Sequence, residues 1–149
     1  MKELQITRAE LGNLDIASLI FNDYRTFYNQ QPNIRGCYDF LSERMINNES
    51  LVYLGLIENN PVAFMQIYQS FSSVGLKKIY ILNDLYVAEK YRNKKIGRAM
   101  LVKALEVAKT ENITKIILQT AKNNQPAQNL YQSFGFSQEQ EFLTLAIDL

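Results

Sequence analysis

Arg92, Lys94, Lys95 and Arg98 crowd around Gly97, directly after an apolar run that ends at Val87. The stretch reads Asn83-Asp84-Leu85-Tyr86-Val87-Ala88-Glu89-Lys90-Tyr91-Arg92-Asn93-Lys94-Lys95-Ile96-Gly97-Arg98-Ala99-Met100-Leu101. Its pattern is that of a strand, a short basic turn and an amphipathic helix. The first N–H groups of a helix have no intrahelical acceptor and carry the positive end of its dipole, so they suit a phosphate. Four cationic side chains beside such a helix start suit a diphosphate at the end of a strand. Without a wider context, the same residues also read as a solvated face or a nucleic-acid patch.

Other chemistries are excluded by what the chain lacks. It has no histidine, so a Ser-His-Asp triad, a His-Cys pair and His-containing zinc sites are ruled out. The single cysteine, Cys37, lies in Gly36-Cys37-Tyr38-Asp39-Phe40 near the start of an expected helix, with no base partner in sequence. It reads as a packing residue rather than a nucleophile. One cysteine forms no internal disulfide, which fits a reducing, cytoplasmic setting.

Arg92-Asn93-Lys94-Lys95-Ile96-Gly97 resembles the acyl-CoA-binding motif of the GNAT N-acetyltransferases, Arg/Gln-x-x-Gly-x-Gly/Ala. The second glycine is kept as Gly97, and the first is replaced by Lys95. Glycine there lets the backbone approach the phosphate closely, so the turn has to work with a side chain present. A second segment, Asn124-Gln125-Pro126-Ala127-Gln128-Asn129-Leu130-Tyr131-Gln132-Ser133-Phe134-Gly135-Phe136, resembles the family's later motif, Asn-x-x-Ala-x-x-Leu-Tyr-x-x-x-Gly-Phe, at every fixed position. An ordinary helix with Ala127, Leu130, Tyr131 and Phe134 as its apolar stripe and Gly135 at its end accounts for the composition. It does not account for two motifs in the family's order and spacing. Leu82 to Val87 is similar to the small polyamine-type members.

These motifs need elements to hold them. Leu4–Thr7 reads as a first strand. Ile16, Leu19, Ile20, Tyr24, Phe27 and Tyr28 recur at helical spacing, which predicts a helix from Asp15 to about Asn29, broken by Pro32 and Gly36. Phe40, Leu41, Met45 and Ile46 predict a second helix ending near Asn47-Asn48. Leu51–Ile57 and Pro61–Gln69 read as paired strands around an Asn59-Asn60 turn. Tyr80–Val87 reads as a central strand, apolar except at Asn83 and Asp84. The following helix turns Met100, Leu101, Ala104, Leu105 and Ala108 inward. Ile113–Gln119 and Phe142–Ile147 read as further strands, the last closing the sheet. The order gives a mixed α/β sheet. The resemblance sharpens this to a mostly antiparallel sheet flanked by helices, with two central strands splayed apart.

At 149 residues the chain is expected to form one domain, 1–149, with a sizeable core. A net charge of +1 provides no global field toward nucleic acid or membrane. No apolar run approaches the roughly 20 residues needed to span a bilayer, and Met1–Gln5 lacks a signal-peptide core. No metal site is expected.

The resemblance implies acetyl transfer from acetyl-CoA to an amine of a small molecule or peptide, and it is compatible with a homodimer. It gives backbone N–H groups on the Asn83–Val87 strand, around Leu85 and Tyr86, the task of polarising the thioester oxygen. Leu85, Tyr86 and Val87, the Arg92–Arg98 turn (Arg92, Asn93, Lys94, Lys95, Ile96, Gly97, Arg98) and Asn124 are the implied cofactor-binding residues. Tyr131 matches the tyrosine that protonates the departing thiolate, a sensible assignment for a phenol of pKa near 10. Polyamine-type relatives carry a glutamate at the Asn83 position. An amide takes no proton in this range but holds a water that relays one. Alternation along a strand sends Asp84 to the face opposite Asn83, so Asp84 reads as a buried structural carboxylate. Glu43 and Glu141 are acidic candidates for the acceptor pocket, and Tyr24, Tyr28 and Tyr68 are aromatic ones. Core packing is the competing reading for each tyrosine. The Lys95 and Asn83 departures also permit an acyl-CoA-binding module without useful catalysis.

Overall fold

The computed structural model describes residues 2–149. They form two compact units, one running to Gln119 and the other Thr120–Leu149. The larger unit holds five strands, β1 (Leu4–Arg8), β2 (Ser50–Ile57), β3 (Asn60–Ser72), β4 (Lys77–Val87) and β5 (Ile116–Leu118). They lie in the order β1-β2-β3-β4-β5. The first three pairings are antiparallel, and only β4–β5 is parallel. Three helices accompany them: α1 (Leu14–Phe27), α2 (Ile34–Ile46) and α3 (Ile96–Thr110). The mixed, mostly antiparallel sheet is as the sequence implied.

The β2–β3 hairpin is tighter by one residue than its sequence suggests. Ile57 pairs with Asn60, so the two loop residues are Glu58 and Asn59, with φ of 51° and 64°. Positive φ at both central positions is the turn that matches the right-handed twist of a hairpin.

Gly36 does not end a helix, as its type suggested. It sits in the first turn of α2, where its N–H donates to the Asn33 side chain at 2.9 Å. A Cβ at Gly36 would collide with the amide of that cap, so glycine lets the cap fold over the helix start.

Side-chain alternation divides the sheet between two layers. On one face Val52, Leu54 and Phe64 pack with Ala17, Ile20 and Phe21 of α1 and Cys37 and Leu41 of α2. Phe21 stacks on Phe64 with centroids 5.1 Å apart. Each such buried aromatic or aliphatic side chain is worth about 1.5–3 kcal/mol. Cys37 is buried there, and burial pushes its thiol pKa up, which suits packing and disfavours a thiolate. On the other face Gly55 and Ala63 leave room for Met100 of α3, and Leu101, Ala104 and Ala108 are buried beside it. Leu105 is only half-buried.

The second unit contains α4 (Gln125–Ser133). The strand expected over Phe142–Ile147 is absent. That segment has no regular structure, and Phe142, Leu143, Leu145 and Ile147 are 74–90% exposed. Apolar and β-branched residues favour a strand only where a neighbouring backbone completes the ladder, and none does so here among the described residues. No helix among the described residues is long and apolar enough to cross a membrane.

Candidate active site

The central feature is a change in the pairing of β4. Tyr80, Ile81 and Leu82 pair with Ile116, Ile117 and Leu118 of β5. Beyond Leu82 the β5 edge ends and β4 runs on to Val87 held by β3 alone. A β-bulge falls at the same place. Gln66 of β3 pairs with Asp84 and Ile67 with Leu82, so Asn83 is the extra residue. The bulge overturns the expectation that Asn83 and Asp84 point to opposite faces. The Asn83 amide donates to both carboxylate oxygens of Asp84 at 3.1 Å. Gln66 Nε2 donates to Asp84 Oδ2 at 2.9 Å. Asp84 is 7% exposed and Gln66 fully buried. A carboxylate only accepts, so the Gln66 amide nitrogen must face it. The Gln66 Oε1 is left buried without a hydrogen-bond partner. Sequence reading missed Gln66, although a lone amide inside the run Val62-Ala63-Phe64-Met65-Gln66-Ile67 was a signal.

The strand then leads into the basic turn. Arg92 does not project into solvent. Its Nε donates to the Val87 carbonyl at 2.9 Å, and its guanidinium lies over Phe27 and Tyr86, 4.9 and 5.6 Å from their centroids. Arg92 thus ties the turn to β4 and α1 while keeping its charge at the strand end. Burial is the main cause that pushes the Tyr86 phenol pKa up, and the nearby Asp23 carboxylate adds to it. Lys94 lies 5.5 Å from the Tyr91 ring.

The turn manages without the motif's first glycine by straining two residues. Asn93 and Lys95 both have φ of 62°, and Lys95 is the left-handed N-cap of α3. The N-cap residue provides no side-chain cap to that helix start, which leaves its first turn in the condition a bound anion satisfies. Lys95→Gly is expected to raise stability by about 0.5–1 kcal/mol. The left-handed cost to a residue with a Cβ, about 1–2 kcal/mol, exceeds the extra chain entropy that glycine loses on folding, about 0.5–1 kcal/mol. Urea unfolding checks this, and a lowered midpoint would contradict it.

In the second unit, Asn124 is the N-cap of α4, and its Oδ1 accepts the Ala127 N–H at 3.2 Å. Pro126 lies in the first turn, where its missing N–H costs nothing. Gly135, at φ 95°, ends the helix as its position in the motif suggested. The Gly135 N–H reaches the Gln132 carbonyl and the Phe136 N–H the Tyr131 carbonyl, the double closure of a Schellman motif. Tyr131 is half-buried and packs edge-on to Phe136 at 5.8 Å. Glu141 is exposed in the same unit.

The acceptor candidates of the larger unit separate. Tyr24 and Tyr28 join an aromatic cluster with Phe21, Phe27, Phe64 and Tyr86, in keeping with packing. Glu43 points outward and pairs with Arg44 at 3.0 Å. Tyr68 lines an open cavity of about 770 Å³ together with Phe40, Arg44, Glu49 and Lys78. Arg44 Nε lies 3.1 Å from a Glu49 carboxylate oxygen. It finds no well-aligned hydrogen bond, so the contact is Coulombic. Burial, with the Asp84 charge behind it, pushes the Tyr68 phenol up to about 12. Tyr68 therefore stays neutral through the physiological range.

A mixed sheet whose β4 outruns its edge neighbour β5, followed by a helix start that suits an anion, defines the α/β class of the protein. Comparison with known proteins gives the family. The sequence model of the Acetyltransferase (GNAT) family matches residues 15–136, and the chain belongs to that family. It is 32% identical over 146 residues to the uncharacterized N-acetyltransferase YhfO of Bacillus subtilis (strain 168), covering 98% of each chain. It is 27% identical over 134 residues to a probable acetyltransferase of Haemophilus influenzae, covering 89% of this chain and 90% of that one. The crystal structure of a probable acetyltransferase superposes with a TM-score of 0.91 at 34% identity over 97% of both chains. A predicted acetyltransferase of Clostridium acetobutylicum, solved with acetyl-CoA, shares the fold at a TM-score of 0.78 and 19% identity, over 97% of this chain and 96% of that one.

Proposed function

We propose that the chain moves the acetyl group of acetyl-CoA to a primary amine of a small molecule or peptide, by direct attack in a ternary complex. The observation that carries this reading is the unpaired edge of β4 from Asn83 to Val87, running from the bulge to the uncapped start of α3. The pantetheine arm pairs with that edge, and the pyrophosphate sits at the start of α3, on the N–H groups of Ile96 and Gly97, within the cationic turn. An N–H of Leu85 or Tyr86 polarises the thioester oxygen as it gains charge. Tyr131 gives its proton to the departing thiolate, supported by the match of Asn124–Phe136 to the family's later motif. The acceptor's body occupies the cavity that Tyr68 lines.

Asn83 acts on the acceptor side through its hydrogen bonds to Asp84. Asn83→Ala is expected to lower kcat/KM two- to tenfold, the scale of one net hydrogen bond of about 0.5–1.5 kcal/mol. Steady-state CoA release with a responsive amine measures it. Unchanged kcat/KM would remove Asn83 from the site. The function itself is tested by following acetyl-CoA and an amine panel together. Amine-dependent release of CoA supports transfer, and tight acetyl-CoA binding without it would leave an acyl-CoA-binding module.

A further inference from the structure

The β3–β4 hairpin outruns the sheet. β2 pairs with β3 only as far as Tyr68, and β5 meets β4 only from Tyr80 on. Beyond them Ser70 pairs with Ile79, Phe71 with Lys78 and Ser72 with Lys77. A two-stranded arm thus extends roughly 10 Å past its neighbours, at about 3.3 Å per residue. Its end is apolar and bare: Phe71, Val74 and Leu76 are 73%, 100% and 91% exposed. A bulky side chain rarely takes a positive φ, yet Leu76 sits at 52°. Glycine or asparagine holds that angle at lower cost, and neither would put a leucine in water. Backbone strain and apolar exposure at one tip mark a surface that is covered in use.

Charge identifies what covers it. Asn59–Asn83 contains two charged residues, Lys77 and Lys78. Their Nζ atoms donate to neutral oxygens of Thr114 and Gln69 at 2.9 Å, and neither forms an ion pair among the described residues. The arm therefore carries two uncompensated positive charges. The matching surface lies on the same molecule. At the foot of the arm is the open cavity lined by Phe40, Arg44, Glu49, Phe71 and Lys78. On its α2 side one guanidinium, Arg44, is shared between the Glu43 and Glu49 carboxylates, which leaves one net negative charge near the Phe40 ring. A net charge of +1 gives two copies little mutual repulsion. An anionic membrane also suits lysines beside an apolar tip, but the acidic, aromatic counterpart on this chain favours a second copy. We propose that two copies associate about a two-fold axis, each arm seating Val74 and Leu76 against the mouth of the other's cavity, with Lys77 and Lys78 facing Glu43 and Glu49. Such a contact is isologous, so each apolar and charged pairing occurs twice. The partner's tip then supplies the outer wall of a cavity otherwise open to solvent. The interface goes beyond the acetyl-transfer reading and is tested through association alone.

Sedimentation velocity of the full chain at micromolar concentrations is expected to show a species of twice the chain mass that dissociates on dilution. Val74→Asp with Leu76→Asn is expected to leave a monomer with an unchanged circular dichroism spectrum, because both side chains are exposed and asparagine tolerates the backbone at position 76. Lys77→Glu with Lys78→Glu is expected to weaken association about tenfold or more, by setting like charges against Glu43 and Glu49. Glu43→Lys added to that pair is expected to recover part of the loss. A monomer throughout the range would overturn the proposal. A dimer indifferent to the Val74 and Leu76 substitutions, or a charge reversal that Glu43→Lys fails to rescue, would do the same. Flotation with vesicles of mixed phosphatidylserine and phosphatidylcholine separates the other occupant. A monomer that binds them through Val74 and Leu76 would assign the arm to a membrane and overturn the second copy. Amine-dependent CoA release is read on the same samples. Its absence in a dimeric protein counts against acetyl transfer and leaves the interface standing.

Discussion

Tyr131→Phe is expected to lower kcat by about ten- to ten-thousand-fold, the range that a positioned general acid contributes, with a much smaller change in the KM for acetyl-CoA. The thiolate of CoA gains negative charge as the C–S bond breaks, and a proton donated at that point stabilises it. A phenol is a better donor than water for that purpose. The hydroxyl is needed only as charge develops, so its removal acts on turnover rather than on ground-state binding. The ring's edge-on contact with Phe136 survives in phenylalanine, which keeps the packing of α4 intact. Single-turnover and steady-state CoA release measure the effect. Full activity would reduce Tyr131 to a packing residue.

Gly97→Val is expected to weaken acetyl-CoA about ten- to hundredfold, with the fold unchanged. Gly97 is the second residue of α3, behind a left-handed N-cap that offers no side-chain cap. Helical side chains tilt toward the N-terminus, so a branched side chain at Gly97 would crowd the helix start proposed for the pyrophosphate. Losing one charge-assisted hydrogen bond costs about 1.5–3 kcal/mol, which is roughly the affinity change named. Valine in a helix costs less than about 1 kcal/mol, so circular dichroism and melting should stay close to those of the parent. Calorimetric titration with acetyl-CoA reads the affinity. Equal affinity in parent and variant would remove the turn from the cofactor site.

Much of the frame was legible because it depends on local pattern. The spacing of Ile20, Tyr24 and Phe27 marks α1, and that of Met100, Leu101, Ala104 and Ala108 marks α3. The basic turn between strand and helix locates the start of α3. What was not legible depends on register between distant residues. A strict alternation put Asn83 and Asp84 on opposite faces, but only the pairing of β3 with β4 reveals the extra residue between Leu82 and Asp84. Gln66 matters because that register brings it to Asp84 across 18 residues of sequence. Lys95 looked like a defect in a glycine motif, and the backbone shows it holding the left-handed angle itself. The apolar run Phe142–Ile147 carried the propensity for a strand, but propensity supplies no partner edge. Arg92 reads in sequence as a free cation. In the fold it is anchored to the Val87 carbonyl and the Phe27 and Tyr86 rings.

The most direct measurement is detection of acetylated product. Purified protein is incubated with acetyl-CoA and a panel of small amines, polyamines and peptides, with free thiol and product mass recorded together. At least one amine should be acetylated in step with CoA release, faster than in a control without protein, and the rate should fall sharply in Tyr131→Phe. Acetyl-CoA binding at the Arg92–Arg98 turn with no amine acetylated above that control would contradict the account and leave a protein that holds acyl-CoA without transferring it.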